Sequence, residues 1–193
     1  IHSAIVKFLD HTKINKGIET SNSINGSEKP LMPSYYKNIR KDILSIVPSD
    51  AKHILEIGCA AGMTGNELKK KPGVYVAGVE LDHNAAIEAK SVLDDVIEGD
   101  IENINLPYEN ETFDCLLFAD ILEHLKDPLT VLKNTSKLLK PNGILIASIP
   151  NVQYLGVVNQ LIEGNWTYQD EGILDRTHLR FFTYHEIEKL FTD

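Results

Sequence analysis

The sequence predicts an α/β domain built on a doubly wound, mostly parallel sheet, and three observations carry that prediction. The runs HILEI, VYVAGVE, FDCLLFA and GILIASI are apolar almost throughout, which is the pattern of strands covered on both faces. Stretches with helical spacing separate most of them, as βαβ units require. The chain of 193 residues is about one domain long, enough to bury a core without metals or disulfides.

The elements follow in order. Residues 1–11 (IHSAIVKFLDH) fit a short amphipathic helix, and the Ser-, Asn- and Gly-rich stretch 14–33 fits a polar linker, so 1–34 is set apart from the domain proper, 35–193. From Tyr35 to Val47 the apolar positions Ile39, Ile43, Leu44 and Val47 follow helical spacing, and Pro48 ends the run. Strand 53–57 precedes a helix from Met63 to Lys71, stopped by Pro72 and Gly73. Strand 74–80 precedes a helix from Asn84 to Leu93, and a short strand, 95–99, follows. After strand 113–119 come a helix from Pro128 to Leu139, a turn at Lys140–Gly143 and strand 143–149. Residues 151–183 read as an insertion or lid, and a last helix begins near Tyr184. The chain starts without Met and stops inside an apparent helix, so it reads as a piece of a longer protein.

Composition narrows the function. The net charge is −9 with scattered lysines, which argues against nucleic acid as a partner. No apolar run approaches the ~18 residues of a membrane span, and no secretory leader is expected. Cys59 and Cys115 sit in apolar runs with no CxxC pair, as expected of reduced thiols in a cytoplasmic protein.

Ligands of doubly wound sheets bind beyond the carboxyl ends of the strands, so the residues there are the candidates. The first strand runs into Glu56-Ile57-Gly58-Cys59-Ala60-Ala61-Gly62. A dinucleotide fingerprint needs glycine at the third and sixth positions from Gly58, where this chain has Ala60 and Met63. An NAD(P)-dependent oxidoreductase is therefore the weaker reading. Small residues at this corner let the backbone approach a ligand, or simply make a tight turn. The second strand ends in GVELD. Glu80 there suits the paired hydroxyls of a ribose, while Asp82 better suits a cap for the next helix. The third ends in EGDI, with Asp100 and Ile101 either binding a ligand or making an ordinary turn. The fourth ends in FADILEHLKDP, where Asp120 faces the crevice and Glu123 and His124 form either a site or a solvated pair.

Together these stretches, with LLKPNGILIASIPN after them, resemble the class I S-adenosylmethionine-dependent methyltransferases over about residues 35–191. The family usually carries glycine where this chain has Ala60. The resemblance implies a Rossmann-like fold, whose last two strands this sequence lacks, and S-adenosylmethionine as cofactor. It implies binding residues Tyr36, Glu56, Gly58, Cys59, Ala60, Gly62, Glu80, Leu81, Asp100, Ile101, Asp120 and Ile121. The segment LDRTHLRFFT, 174–183, resembles bacterial methyltransferases acting on sugars, polysaccharides and small natural products, so a small-molecule or saccharide acceptor is expected.

Methyl transfer to a hydroxyl needs a group to take its proton, and histidine is the usual one. His178 is the first candidate, with Asp175 to orient it, and His124 the second. A structural network of Asp175, Arg176 and His178 pinning the segment is the alternative. No paired carboxylates or His-x-x-x-His spacing stand together, so no metal is expected. The rival from another class is a non-catalytic cofactor-binding or interaction module on the same fold.

Overall fold

A computed structural model describes residues 38–192; the expected N-terminal helix, the linker and Tyr36 lie outside them. Five strands form one sheet in the order β3-β2-β1-β4-β5, all parallel: β1 (His53–Ile57), β2 (Tyr75–Glu80), β3 (Asp95–Glu98), β4 (Phe113–Ala119) and β5 (Leu139–Ser148). The helices are α1 (Lys41–Leu44), α2 (Met63–Leu68), α3 (His83–Lys90), α4 (Pro128–Thr135), α5 (Leu155–Ile162) and α6 (Tyr184–Thr192).

The apolar strands divide their side chains between two layers. Ile54, Val76, Cys115, Leu117 and Ile146 pack with Ile43 of α1, Leu68 of α2 and Ala89 of α3. Their neighbours Leu55, Ile57, Val79, Leu116, Phe118 and Leu145 pack on the other side with Val131 and Leu132 of α4 and with Ile187 and Phe191 of α6. Each buried leucine or phenylalanine contributes about 1.5–3 kcal/mol, so both faces must be covered, as the unbroken apolar runs foretold.

Boundaries differ in three places. Of the helix expected over 35–47, the described residues form only the single turn Lys41–Leu44, preceded by Arg40 at a non-helical φ −79° and ψ 80°. The turn expected at Lys140–Gly143 is absorbed into β5. Its strain survives as a register shift opposite Phe113–Cys115 and a left-handed Asn142. The expected insertion contains α5, of which only Val157 is buried. Asp82 does cap α3, accepting from the amide of Ala85 at 2.8 Å.

The order places β1 at the centre, paired with β2 on one side and β4 on the other. The chain winds outward to β3, returns and winds outward again to β5. The point of reversal opens a crevice above the carboxyl ends of β1 and β4.

Candidate active site at the strand ends

The turn after β1 is fixed by its backbone. The amides of Gly58 and Cys59 both donate to the carbonyl of Val79, at 2.8 and 3.0 Å, and the amide of Gly62 donates to that of Cys59 at 2.8 Å. Gly58, Ala60 and Gly62 all take positive φ, at 70°, 49° and 75°. A Cβ on Gly58 would stand 2.0 Å from Cδ1 of Ile121, so only glycine fits there. The opposite wall of the crevice is therefore the chain just after Asp120.

Glu80 closes the turn from the side. It is nearly buried, and its Oε2 accepts from the amide of Ala60 at 2.7 Å while Oε1 accepts from that of Asp82 at 2.8 Å. One donor per oxygen leaves each with accepting capacity to spare. Leu81, beside it, is 69% exposed. Beyond β3, Asp100 accepts from the amide of Glu102 at 2.9 Å and from Nδ2 of Asn103 at 2.7 Å, while Ile101 packs against the core. Glu56 lies beneath the turn, with Oε2 lacking any partner. Burial pushes its carboxyl up to about 8.

Asp120 sits at the end of β4 with φ 55°. Its carboxylate accepts from Oγ of Ser148 at 2.7 Å and is paired with the guanidinium of Arg40. Arg40 also reaches Asp42 at 2.7 Å and Oγ of Ser148 at 3.0 Å. Nothing in its sequence neighbourhood marks Arg40 for this place; only the fold brings residue 40 over the ends of β4 and β5.

Past Asp120 a 3-10 turn, Leu122–His124, turns Glu123 inward. The sequence left Glu123 open between a site and a solvated pair with His124. It is 1% exposed and neither carboxylate oxygen has a hydrogen-bond partner. Burial raises its carboxyl well above the usual range, and the nearby Asp120 charge adds to that. The reason is the segment 177–180, which folds onto it: the amides of Leu179 and Arg180 both donate to the Glu123 carbonyl, at 2.9 and 3.0 Å.

The same fold-over brings in His178. Its Nδ1 stands 3.1 Å from the carbonyl of Ile173, and its Nε2 stands 3.9 Å from Oε1 of Glu123. The rings of His178 and His124 meet edge to face with centroids 4.8 Å apart. Nδ1 of His124 lies 3.3 Å from both the carbonyl and the hydroxyl of Thr177. Burial, and then the charge of His178, hold His124 below the usual histidine range. Asp175 instead accepts from the amide and hydroxyl of Thr177, both at 2.7 Å, and the carboxylate facing Nε2 of His178 is Glu123. Arg176 pairs with the exposed Asp170 at 2.7 Å, and Arg180 donates to the carbonyl of Lys126.

Two constellations thus share one edge of the sheet. The glycine turn, Glu80 and Asp100 form the first, and Glu123, His124 and His178 the second, with Asp120 and Arg40 between them.

Known proteins share this fold. A family model described as a methyltransferase domain matches residues 32–193. The ubiquinone biosynthesis O-methyltransferase of Coxiella burnetii is 25% identical over 127 residues, 61% of this chain and 51% of that protein. An uncharacterized protein of Haemophilus influenzae is 32% identical over 127 residues, 61% of this chain and 49% of that one. The matched region thus spans about half the length of these relatives. Among solved structures, a SAM-dependent methyltransferase of Thermotoga maritima, described as a possible histamine N-methyltransferase, superposes with a TM-score of 0.59 at 24% identity, over 78% of this chain and 65% of that one. A protein of Pyrococcus horikoshii superposes with a TM-score of 0.62 at 19% identity, over 82% of this chain and 85% of that one. At these identities the structures attest the fold.

Proposed function

The chain belongs to the methyltransferase-domain family, and on that premise we propose that it methylates a hydroxyl of a small-molecule or saccharide acceptor with S-adenosylmethionine. The observation that carries the reading is Glu80, folded against the glycine turn with spare accepting capacity on both oxygens.

The residues at the crevice fit this cofactor. Glu80 takes the two ribose hydroxyls as a forked pair. Asp100 and Ile101, with the exposed Leu81, serve the adenine, and Asp120 serves the amino group. Gly58, without a side chain, lets Ile121 pack directly against the turn. Ala60, Cys59 and Gly62 complete that turn, and Glu56 supports it from below. Tyr36, outside the described residues, stays on the proposed list. The cofactor supplies a methyl group on a sulfonium, so the protein's part is alignment and handling of the acceptor's proton.

An oxygen acceptor is favoured by two things. The relatives include ubiquinone biosynthesis O-methyltransferases, and a hydroxyl's proton has a place to leave, the cluster of Glu123, His124 and His178. The segment 151–183 forms the acceptor side of the crevice. Two buried, free thiols suit a reducing compartment such as the cytoplasm.

Calorimetry with S-adenosylmethionine and S-adenosylhomocysteine, with NAD as control, tests the cofactor. Micromolar binding of the first two is expected, weakened at least about tenfold in Glu80→Ala, since a charged hydrogen-bonding partner is lost. Absence of binding by the first two, or equal binding of NAD, overturns the reading. Transfer of labelled methyl to a panel of phenols and saccharides then tests the acceptor. Cofactor binding without transfer to any acceptor would favour the non-catalytic module.

A further inference from the structure

We propose that Glu123, His124 and His178 form a binding site for one divalent first-row transition ion of the zinc, manganese or iron kind. One ligand atom from each residue lies within 4.8 Å of the other two. No other such group occurs among the described residues.

Several features make this a built site and not a chance meeting. Glu123 is 1% exposed with both oxygens unpartnered. A buried carboxylate demands a proton or a cation. His178 does not satisfy it, since 3.9 Å is too long for a hydrogen bond. Ligands about 2.0–2.2 Å from a common ion stand about 3.3 Å apart in a tetrahedral set. The observed separations, up to 4.8 Å, exceed this, so the three side chains draw together when the ion binds.

The imidazoles are also held as ligands usually are, with the far nitrogen anchored to a backbone carbonyl. Nδ1 of His178 is set against the carbonyl of Ile173 at 3.1 Å, and Nδ1 of His124 against that of Thr177 at 3.3 Å. This leaves Nε2 unengaged on each ring. The two amides donated to the Glu123 carbonyl fix the spacing between the paired ligands at 123–124 and the third at 178. Asp120 and Asp175 add negative charge nearby, and Arg40 adds positive.

Two imidazoles and one carboxylate select a borderline transition ion over calcium or magnesium, which prefer oxygen throughout. Three protein ligands leave coordination positions open, on the side of half-buried His124. The role of the ion rests on the proposed O-methyl transfer, whereas its binding does not. An acceptor hydroxyl coordinated there loses its proton to water, so that with the ion bound the cluster promotes proton loss through the metal in place of accepting the proton itself. The resulting oxyanion forms the new O–C bond as the C–S bond breaks and its electron pair returns to sulfur.

The test uses the full chain freed of metal by chelation and dialysis. Zinc and manganese are titrated in separate calorimetric runs, and cobalt is added as a visible-absorption probe. One ion per chain is expected, bound about 100-fold or more weakly in Glu123→Gln and His178→Ala, with the affinity for S-adenosylhomocysteine unchanged. His53→Ala, at the opposite end of β1, serves as the control with unchanged metal binding. If His178→Ala fails to fold, His124→Ala, at a half-buried position, takes its place. Failure of all three ions to bind stoichiometrically, or equal binding in the wild type and the ligand variants, overturns the site. Metal binding without any S-adenosylhomocysteine binding would instead sink the proposed cofactor and leave the site standing.

Discussion

Ala60 stands with φ 49° in a turn flanked by glycines of the same hand. A left-handed conformation costs a side-chain-bearing residue about 1–2 kcal/mol, while glycine loses about 0.5–1 kcal/mol of chain entropy on ordering. These nearly cancel, so Ala60→Gly is expected to change stability in urea unfolding by no more than about 1 kcal/mol. Gly58 is a different case. Alanine there meets both the conformational cost and the side chain of Ile121, 2.0 Å from the new carbon. Gly58→Ala is expected to destabilise by about 3 kcal/mol, adding overpacking to strain. Equal effects of the two substitutions would mean that Ile121 moves aside freely.

At the scale of elements, the start of β4 fastens three strands. Oδ2 of Asp114 accepts from the amides of Lys52 and His53, at 2.9 and 2.8 Å, and Oδ1 takes Nζ of Lys140 at 2.8 Å. Burial opposes ionisation, but these donors outweigh it and hold the carboxyl down to about 2. Asp114→Asn keeps the shape and loses the charge, and a loss of about 1–2 kcal/mol in urea unfolding at neutral pH is expected. A depressed carboxyl gives its stability above its unfolded pKa and loses it as pH falls through the folded one. The wild type and the variant should therefore converge toward pH 2.

The strands themselves were legible because burial on both faces writes an unbroken apolar run; β4 has the bounds its sequence suggests. Helix ends were not legible. Arg40 leaves the helical pattern to reach Asp120, a contact 80 positions away with no local trace. Much the same divides the site. Gly58, Glu80, Asp100 and Asp120 were readable as residues placed at strand ends. Glu123 was ambiguous, because a carboxylate beside histidine in a loop is usually solvated, and its burial depends on backbone amides at 179 and 180. Asp175, expected to orient His178, accepts instead from Thr177, and the carboxylate facing Nε2 of His178 is that of Glu123, 55 positions away.

For the whole molecule, pH acts most strongly where a charge is sealed within the fold. Glu56 is such a place, with a carboxyl raised to about 8 by burial. An acid whose folded pKa lies above its unfolded value gives its full contribution below the unfolded value and loses it as pH rises through the folded one. Stability should therefore fall between about pH 4.5 and 8 by an amount on the order of 5 kcal/mol that Glu56→Gln abolishes. Urea unfolding of both proteins at pH 5.5 and pH 8.5 checks this, and parallel pH dependence of the two would refute it. The two thiols are sealed in the same way. Cys115 lies in the middle of β4 with no exposed surface, and burial pushes it up to about 12, while Cys59 lies in the turn under the crevice and is raised too. Thiol reagents act on exposed thiolate, so neither sulfur reacts until its surroundings part. The chain therefore carries two clocks, one started when the turn lifts and the other only when the sheet comes apart.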